Sequence, residues 1–93
     1  MGNQILHSDI YALAHHHRFQ WEEVQQSYVI LFPEGMVKLH GSAGEILKRL
    51  DGKVTVGDVI ADLKATFPDA DGIESDIVGM LELALGKGWL RKV

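Results

Sequence analysis

A chain of 93 residues, 46% of them hydrophobic, has room for one domain with one small core, because a short chain buries a smaller fraction of its surface than a long one. Its 13 acidic residues outnumber its 9 basic ones for a formal net charge of −4, which opposes the phosphate contacts that nucleic-acid binding draws on. Cysteine is absent, which excludes disulfides, thiolate metal sites and cysteine nucleophiles and fits a reducing cytoplasm.

Residues 1–17 read as a flexible N-terminal segment. Met1-Gly2-Asn3-Gln4 lacks the basic start and long apolar stretch of a signal peptide, and no apolar run approaches the ~20 residues that span a bilayer. Ile5, Leu6, Ile10, Tyr11 and Leu13 have loose helical spacing, with no cap ahead of them. A single domain is expected over residues 18–93. In Arg18–Glu22, Phe19 and Trp21 alternate with polar neighbours, which predicts a strand with one buried face. The run Tyr28–Phe32 is a second strand. Pro33-Glu34-Gly35 is a turn in which Pro33 pre-sets φ and Gly35 can take a positive φ, and Met36–Leu39 is a third strand completing a hairpin.

Three helices follow. Ser42-Ala43-Gly44-Glu45 has the spelling of a capping box, and Ala43, Ile46, Leu47 and Leu50 share one face until Asp51-Gly52 stops the helix. Thr55 caps the second helix, with Val56, Val59, Ile60, Leu63 and Phe67 as its apolar face and Pro68 as its end. Asp69 or Asp71 caps the third. Its apolar residues Ile73, Ile77, Val78, Met80, Leu81, Ala84 and Leu85 cover about half the circumference at ~100° per residue, with Leu83 on the polar side. So wide an arc means either a central helix covered from two directions or one flank lining an open groove. After Gly86 and Gly88, Trp89-Leu90 returns to the core or makes a short strand. Three strands then three helices make an α+β chain.

Few residues have the spacing of a reaction centre. Along an extended segment His15 and His17 would share a face, but no carboxylate or cysteine spacing supports a metal site. Glu22 and Glu23 are successive strand residues facing opposite ways, better suited to solvent or a partner than to acid–base chemistry. Ser42 is accounted for by helix capping, and Gly41, Gly44 and Gly52 form no phosphate loop. The reading is of a non-enzyme without cofactor or metal. Met36–Leu39 is an edge strand if the strands pair in sequence, and a free edge can accept another strand.

Trp21-Glu22-Glu23, Pro33-Glu34-Gly35-Met36-Val37-Lys38-Leu39, Ser42-Ala43-Gly44-Glu45-Ile46-Leu47, Asp51-Gly52 and Gly88-Trp89-Leu90 stand in an order and spacing that resembles the PqqD family of pyrroloquinoline quinone (PQQ) biosynthesis, over roughly Arg18 to Leu90. The resemblance implies a winged helix-turn-helix-like fold, a three-stranded antiparallel sheet followed by three helices. It also implies a non-catalytic peptide chaperone that binds the precursor PqqA and presents it to the radical S-adenosylmethionine enzyme PqqE, which joins a Glu and a Tyr of the peptide. The iron–sulfur cluster and S-adenosylmethionine would belong to that partner. The precursor would add as a strand to Met36, Val37, Lys38 and Leu39, beside a groove of Ile77, Met80, Leu81 and Ala84 with Leu83 at its rim. Expected partners are thus PqqA and PqqE, with no nucleic acid and no membrane. The expected state is a monomer, with a strand-exchanged dimer at high concentration.

The alternative is a winged-helix DNA-binding regulator, and behind it an enzyme subunit whose activity the sequence hides. Asp69, Asp71, Glu74, Asp76 and Glu82 would face phosphates in the first of these, with no Lys or Arg until Lys87.

Overall fold

The computed structural model describes residues 4–93, and its elements run β1 (Tyr11–Leu13), β2 (Arg18–Glu22), β3 (Ser27–Phe32), β4 (Gly35–Lys38), α1 (Ala43–Lys48), α2 (Val56–Thr66), α3 (Ile73–Gly86) and β5 (Leu90–Lys92). The first three residues, on which part of the signal-peptide and flexible-segment readings fell, lie outside the described residues. The fold is α+β and consistent with a winged helix.

β2, β3 and β4 form an antiparallel meander in that order. Phe19 stands opposite Ile30 and Ile30 opposite Val37, so side chains of period two put these three on one face, toward the helices. The turn is tight, with Phe32 paired to Gly35 and Gly35 at φ 157°.

The chain carries two strands beyond the meander, of which β1 is unforeseen in the sequence pattern and β5 is one of the courses left open for Trp89-Leu90. The loose helical spacing of Ile5 to Leu13 is not a helix: Tyr11–Leu13 pairs antiparallel with Leu90–Lys92, so sheet pairing begins ahead of Arg18. Trp89-Leu90 takes both courses left open for it, since both residues are buried and Leu90 opens a strand. Backbone bonds from Gly52 to Tyr11, Val56 to Asp9 and Gly57 to His7 tie the N-terminal segment to the start of α2.

The helices pack as their apolar faces require. Ile46, Leu47 and Leu50 are buried from α1 and its end, and Val56, Val59, Ile60 and Leu63 from α2. α3 lies against α1, α2 and β5, with Ile77, Leu81 and Ala84 all 0% exposed. The centre of its wide arc is therefore explained by a helix covered from several directions. No helix among the described residues is long and apolar enough to cross a membrane.

Three local expectations are corrected. Thr55 and Asp58 complete a reciprocal capping box at α2, but Ser42 makes no side-chain cap bond at α1, where Glu45 instead holds Arg49 at 2.9 Å. Neither Asp69 nor Asp71 caps α3; its N-cap is Gly72 at φ 67°. Phe67 leaves the apolar face of α2 and is 42% exposed, because the residue before Pro68 is pushed out of helical geometry and takes φ −125°, ψ 69°.

Candidate functional site

β4 is one edge of the meander, and its hydrogen-bond register decides which of its residues face outward. Leu39 N–H donates to the Tyr28 carbonyl at 2.9 Å, opposite its partner in register. Antiparallel partners alternate between bonded and non-bonded pairs, so Val37 also bonds inward to Ile30, while the N–H and C=O of Met36 and Lys38 point away from the sheet. The same pleat puts the Val37 and Leu39 side chains on the core side and those of Met36 and Lys38 on the other face. Met36 is 45% exposed and Lys38 exposed; Val37 is half-buried and Leu39 buried.

The groove residues read from sequence divide sharply. Ile77, Leu81 and Ala84 belong to the core and offer no surface, Met80 is half-buried against it, and Leu83 is 49% exposed. At ~100° per residue one accessible flank of α3 is Ile73, Asp76, Met80 and Leu83, a strip beside the buried arc, with half-buried Val78 and Leu85 on the arc's other border. The start of this strip lines a hollow of about 490 Å³ together with Phe67 and Ala70. Its other wall is Gly41, Ser42 and Glu45, the turn into which β4 runs and the first turn of α1. The hollow therefore lies past the end of the edge strand, between the first turns of α1 and α3. Another side of α3 is engaged elsewhere: Glu74 bonds His7 at 3.0 Å and lies 3.6 Å from Lys64.

Phe67, Ala70, Asp76, Ser42 and Glu45 were not among the residues expected at the site. The signal for Phe67 was present in the sequence as its place before Pro68. The others depend on which elements pack together, and helical spacing alone carries no such information.

A second hollow, about 350 Å³, lies on the sheet side of the same turn, with Trp21, Tyr28, Lys38, His40 and Glu45 among its lining residues. Tyr28 stacks on Phe19 and meets Trp21 edge-on, each at 4.9 Å, and α1 comes so close that a Cβ on Gly44 would stand 2.5 Å from the Tyr28 ring. Trp21 donates its indole N–H to Glu23 at 3.0 Å, which accounts for one of the two glutamates. The histidine run forms the β1–β2 turn rather than an extended segment: His16 has φ 65° and His17 stacks on Phe32 at 5.5 Å.

The sequence profile of the family described as coenzyme PQQ synthesis protein D (PqqD) matches residues 27–90. A protein of Acinetobacter baylyi named PqqA binding protein is 57% identical over 74 residues, covering 80% of this chain and 75% of its own. One of the same name from Azotobacter vinelandii is 45% identical over 83 residues, covering 89% and 90%. Among solved structures, the solution structure of the PqqD part of Methylobacterium extorquens PqqCD, described as a stand-alone recognition element for ribosomally synthesized and post-translationally modified peptides, superposes with a TM-score of 0.78 at 31% identity over 95% of both chains. The same sheet, helices and sequence positions thus recur across most of the chain, which belongs to the PqqD family.

Proposed function

We propose that this chain is a non-catalytic, cytoplasmic peptide-binding protein that captures PqqA and presents it to PqqE during PQQ biosynthesis. The observation that carries the reading is the outward-facing backbone of Met36 and Lys38 on the edge strand β4. A peptide strand placed there gains main-chain hydrogen bonds from the edge and apolar contacts from Ile73, Met80 and Leu83. The names of the relatives from Acinetobacter and Azotobacter support PqqA as the ligand. Carboxylates on α3 and a net charge of −4 speak against the DNA-binding alternative.

Titration of the labelled protein with PqqA peptide and, separately, with duplex DNA tests this. The peptide is expected to shift the amides of residues 36–39 and of the 73–83 strip and to stay bound as salt rises, while DNA gives no binding at physiological salt. Tight, steeply salt-dependent DNA binding would overturn the function. Shifts confined to α1 or the N-terminal segment would move the site. Presentation is read separately: PqqE acting on PqqA should need this chain, and should lose that dependence when the strip is mutated.

A further inference from the structure

The hollow where β4 runs into α1 is apolar in its walls and acidic at its rim. Phe67 and Ile73 supply apolar surface, while Asp76 and Glu45 supply carboxylates. Ala70 stands between Asp69 and Asp71 in the loop that leads into α3. The nearby cation Arg49 is shared between Glu45 and Asp62, so it offsets part of this charge only. Asp76 has no cationic partner among the described residues. Acidic residues in the first turn of α3 also answer the helix dipole, but that is worth roughly half a positive charge, too little to balance the carboxylates of the rim and loop.

Resting on the peptide-binding reading above, we infer that this hollow is a specificity pocket for a lysine or arginine side chain of the added strand. A purely aliphatic side chain would fill the apolar part of the hollow but gain nothing from the exposed Asp76 carboxylate. An acidic one would be repelled. Lysine and arginine alone combine a long apolar stem with a charged head. The stem lies along Ile73 and Phe67, the head reaches the Asp76 carboxylate, and the exposed Phe67 ring adds a cation–π contact. The backbone geometry agrees. Side chains of an added strand face the helices at every second position, so one opposite Val37 is followed by another on the same face, toward Leu39 and the end of the strand where Gly41 lines the hollow. The strand is therefore expected to carry an apolar residue and a basic one on the same face.

Calorimetric titration of the full chain with PqqA peptides scanned singly to lysine and to glutamate tests the pocket, with Asp76→Asn and Asp76→Lys as variants. Asp76 is exposed, so neither variant should unfold the domain, although Asp76→Lys sets a cation against the dipole in the first turn of α3 and should melt slightly earlier. Asp76→Asn is expected to weaken native PqqA by roughly three- to tenfold, as for a partly desolvated pair with its cation–π contact. One glutamate position in the peptide should lose binding to the wild type and regain it on Asp76→Lys. If PqqA binds and shifts residues 36–39, yet no charge reversal is rescued and Asp76→Asn binds as the wild type does, the pocket assignment fails while the peptide-binding reading stands. No PqqA binding at all overturns both.

Discussion

Asp9 shows how single side chains hold the ends of this chain. It is 5% exposed, and its carboxylate accepts from Leu6 N–H and the Tyr11 hydroxyl, each at 3.0 Å, with the Lys92 ammonium at 3.1 Å. The Leu6 N–H, working against burial and joined by Lys92 and Tyr11, holds this carboxyl below the usual carboxylate range. Burial, and then the hydrogen bond to Asp9, push the Tyr11 hydroxyl up to about 12. The signs are opposite in pH. A lowered carboxyl stabilises the fold above its unfolded value and loses that contribution as pH falls through the folded one; a raised phenol stabilises below its unfolded value, about 10, and loses the contribution as pH climbs toward 12. Asp9→Asn should therefore lower stability at neutral pH, by about 1–2 kcal/mol for lost charge-assisted bonds, and flatten the acid limb, with the two curves converging in strong acid. Denaturant melts from pH 2 to 7 provide the check, and parallel acid limbs would show that Asp9 is not the titrating group. The capping positions carry the same lesson about partners. Thr55–Asp58 and Ser42–Glu45 share one pattern, but only the first becomes a capping box: Thr55 is extended at ψ 163°, as a capping residue must be, while Ser42 is already helical at ψ −5° and Glu45 pairs with Arg49.

For the elements, β4 and α3 each contain positions that separate folding from binding. Lys38 points its N–H outward, so Lys38→Pro removes a donor from the open edge and is tolerated there. Val37 bonds inward to β3, so Val37→Pro breaks the ladder itself. Lys38→Pro should bind PqqA at least tenfold more weakly with a near-normal melting temperature, whereas Val37→Pro should lower the melting temperature first. Equal binding by Lys38→Pro and the wild type would rule out strand addition at β4. On α3, Leu81→Asp places a charge at a 0% exposed position and should unfold the domain, while Leu83→Asp, at 49%, should weaken PqqA binding with little change in stability. A calorimetric melt beside each titration distinguishes the two. The contrast also marks what sequence periodicity can carry. It identified the hairpin, three helices and most of their buried faces, Phe67 excepted, because those follow from spacing within each element. It did not separate the centre of the α3 arc from its open flank, since that depends on what α1, α2 and β5 cover. Nor did it find β1, three residues long and paired across nearly the whole chain where no period can show, and it left β5 as one of two courses for Trp89-Leu90.

At the scale of the whole molecule β1 and β5 are part of one body. The radius of gyration, 12.9 Å, is close to the ~12 Å of a compact domain of this length, and Val93 N–H bonds the Ile10 carbonyl at 2.8 Å, extending the β1–β5 pairing by one bond. Exchange of the N-terminal strand between copies would require breaking the β1–β5 pairs and the Asp9 cluster and exposing Tyr11, which is 3% exposed. The meander, by contrast, keeps β2 and β4 as edges, so two copies could pair edge to edge without any unfolding. Each route is a hypothesis with its own signature. A protein that hands a peptide to an enzyme needs its β4 edge free, so we expect a monomer in dilute solution by sedimentation, with dimers forming only as concentration rises. If those dimers use β4, Lys38→Pro abolishes them and PqqA competes with them. If they exchange N-terminal strands, Lys38→Pro leaves them intact and they interconvert slowly, because core residues must open first. A dimer that survives at low concentration and still binds PqqA at full stoichiometry would refute the expected monomer and move the self-association surface away from β4.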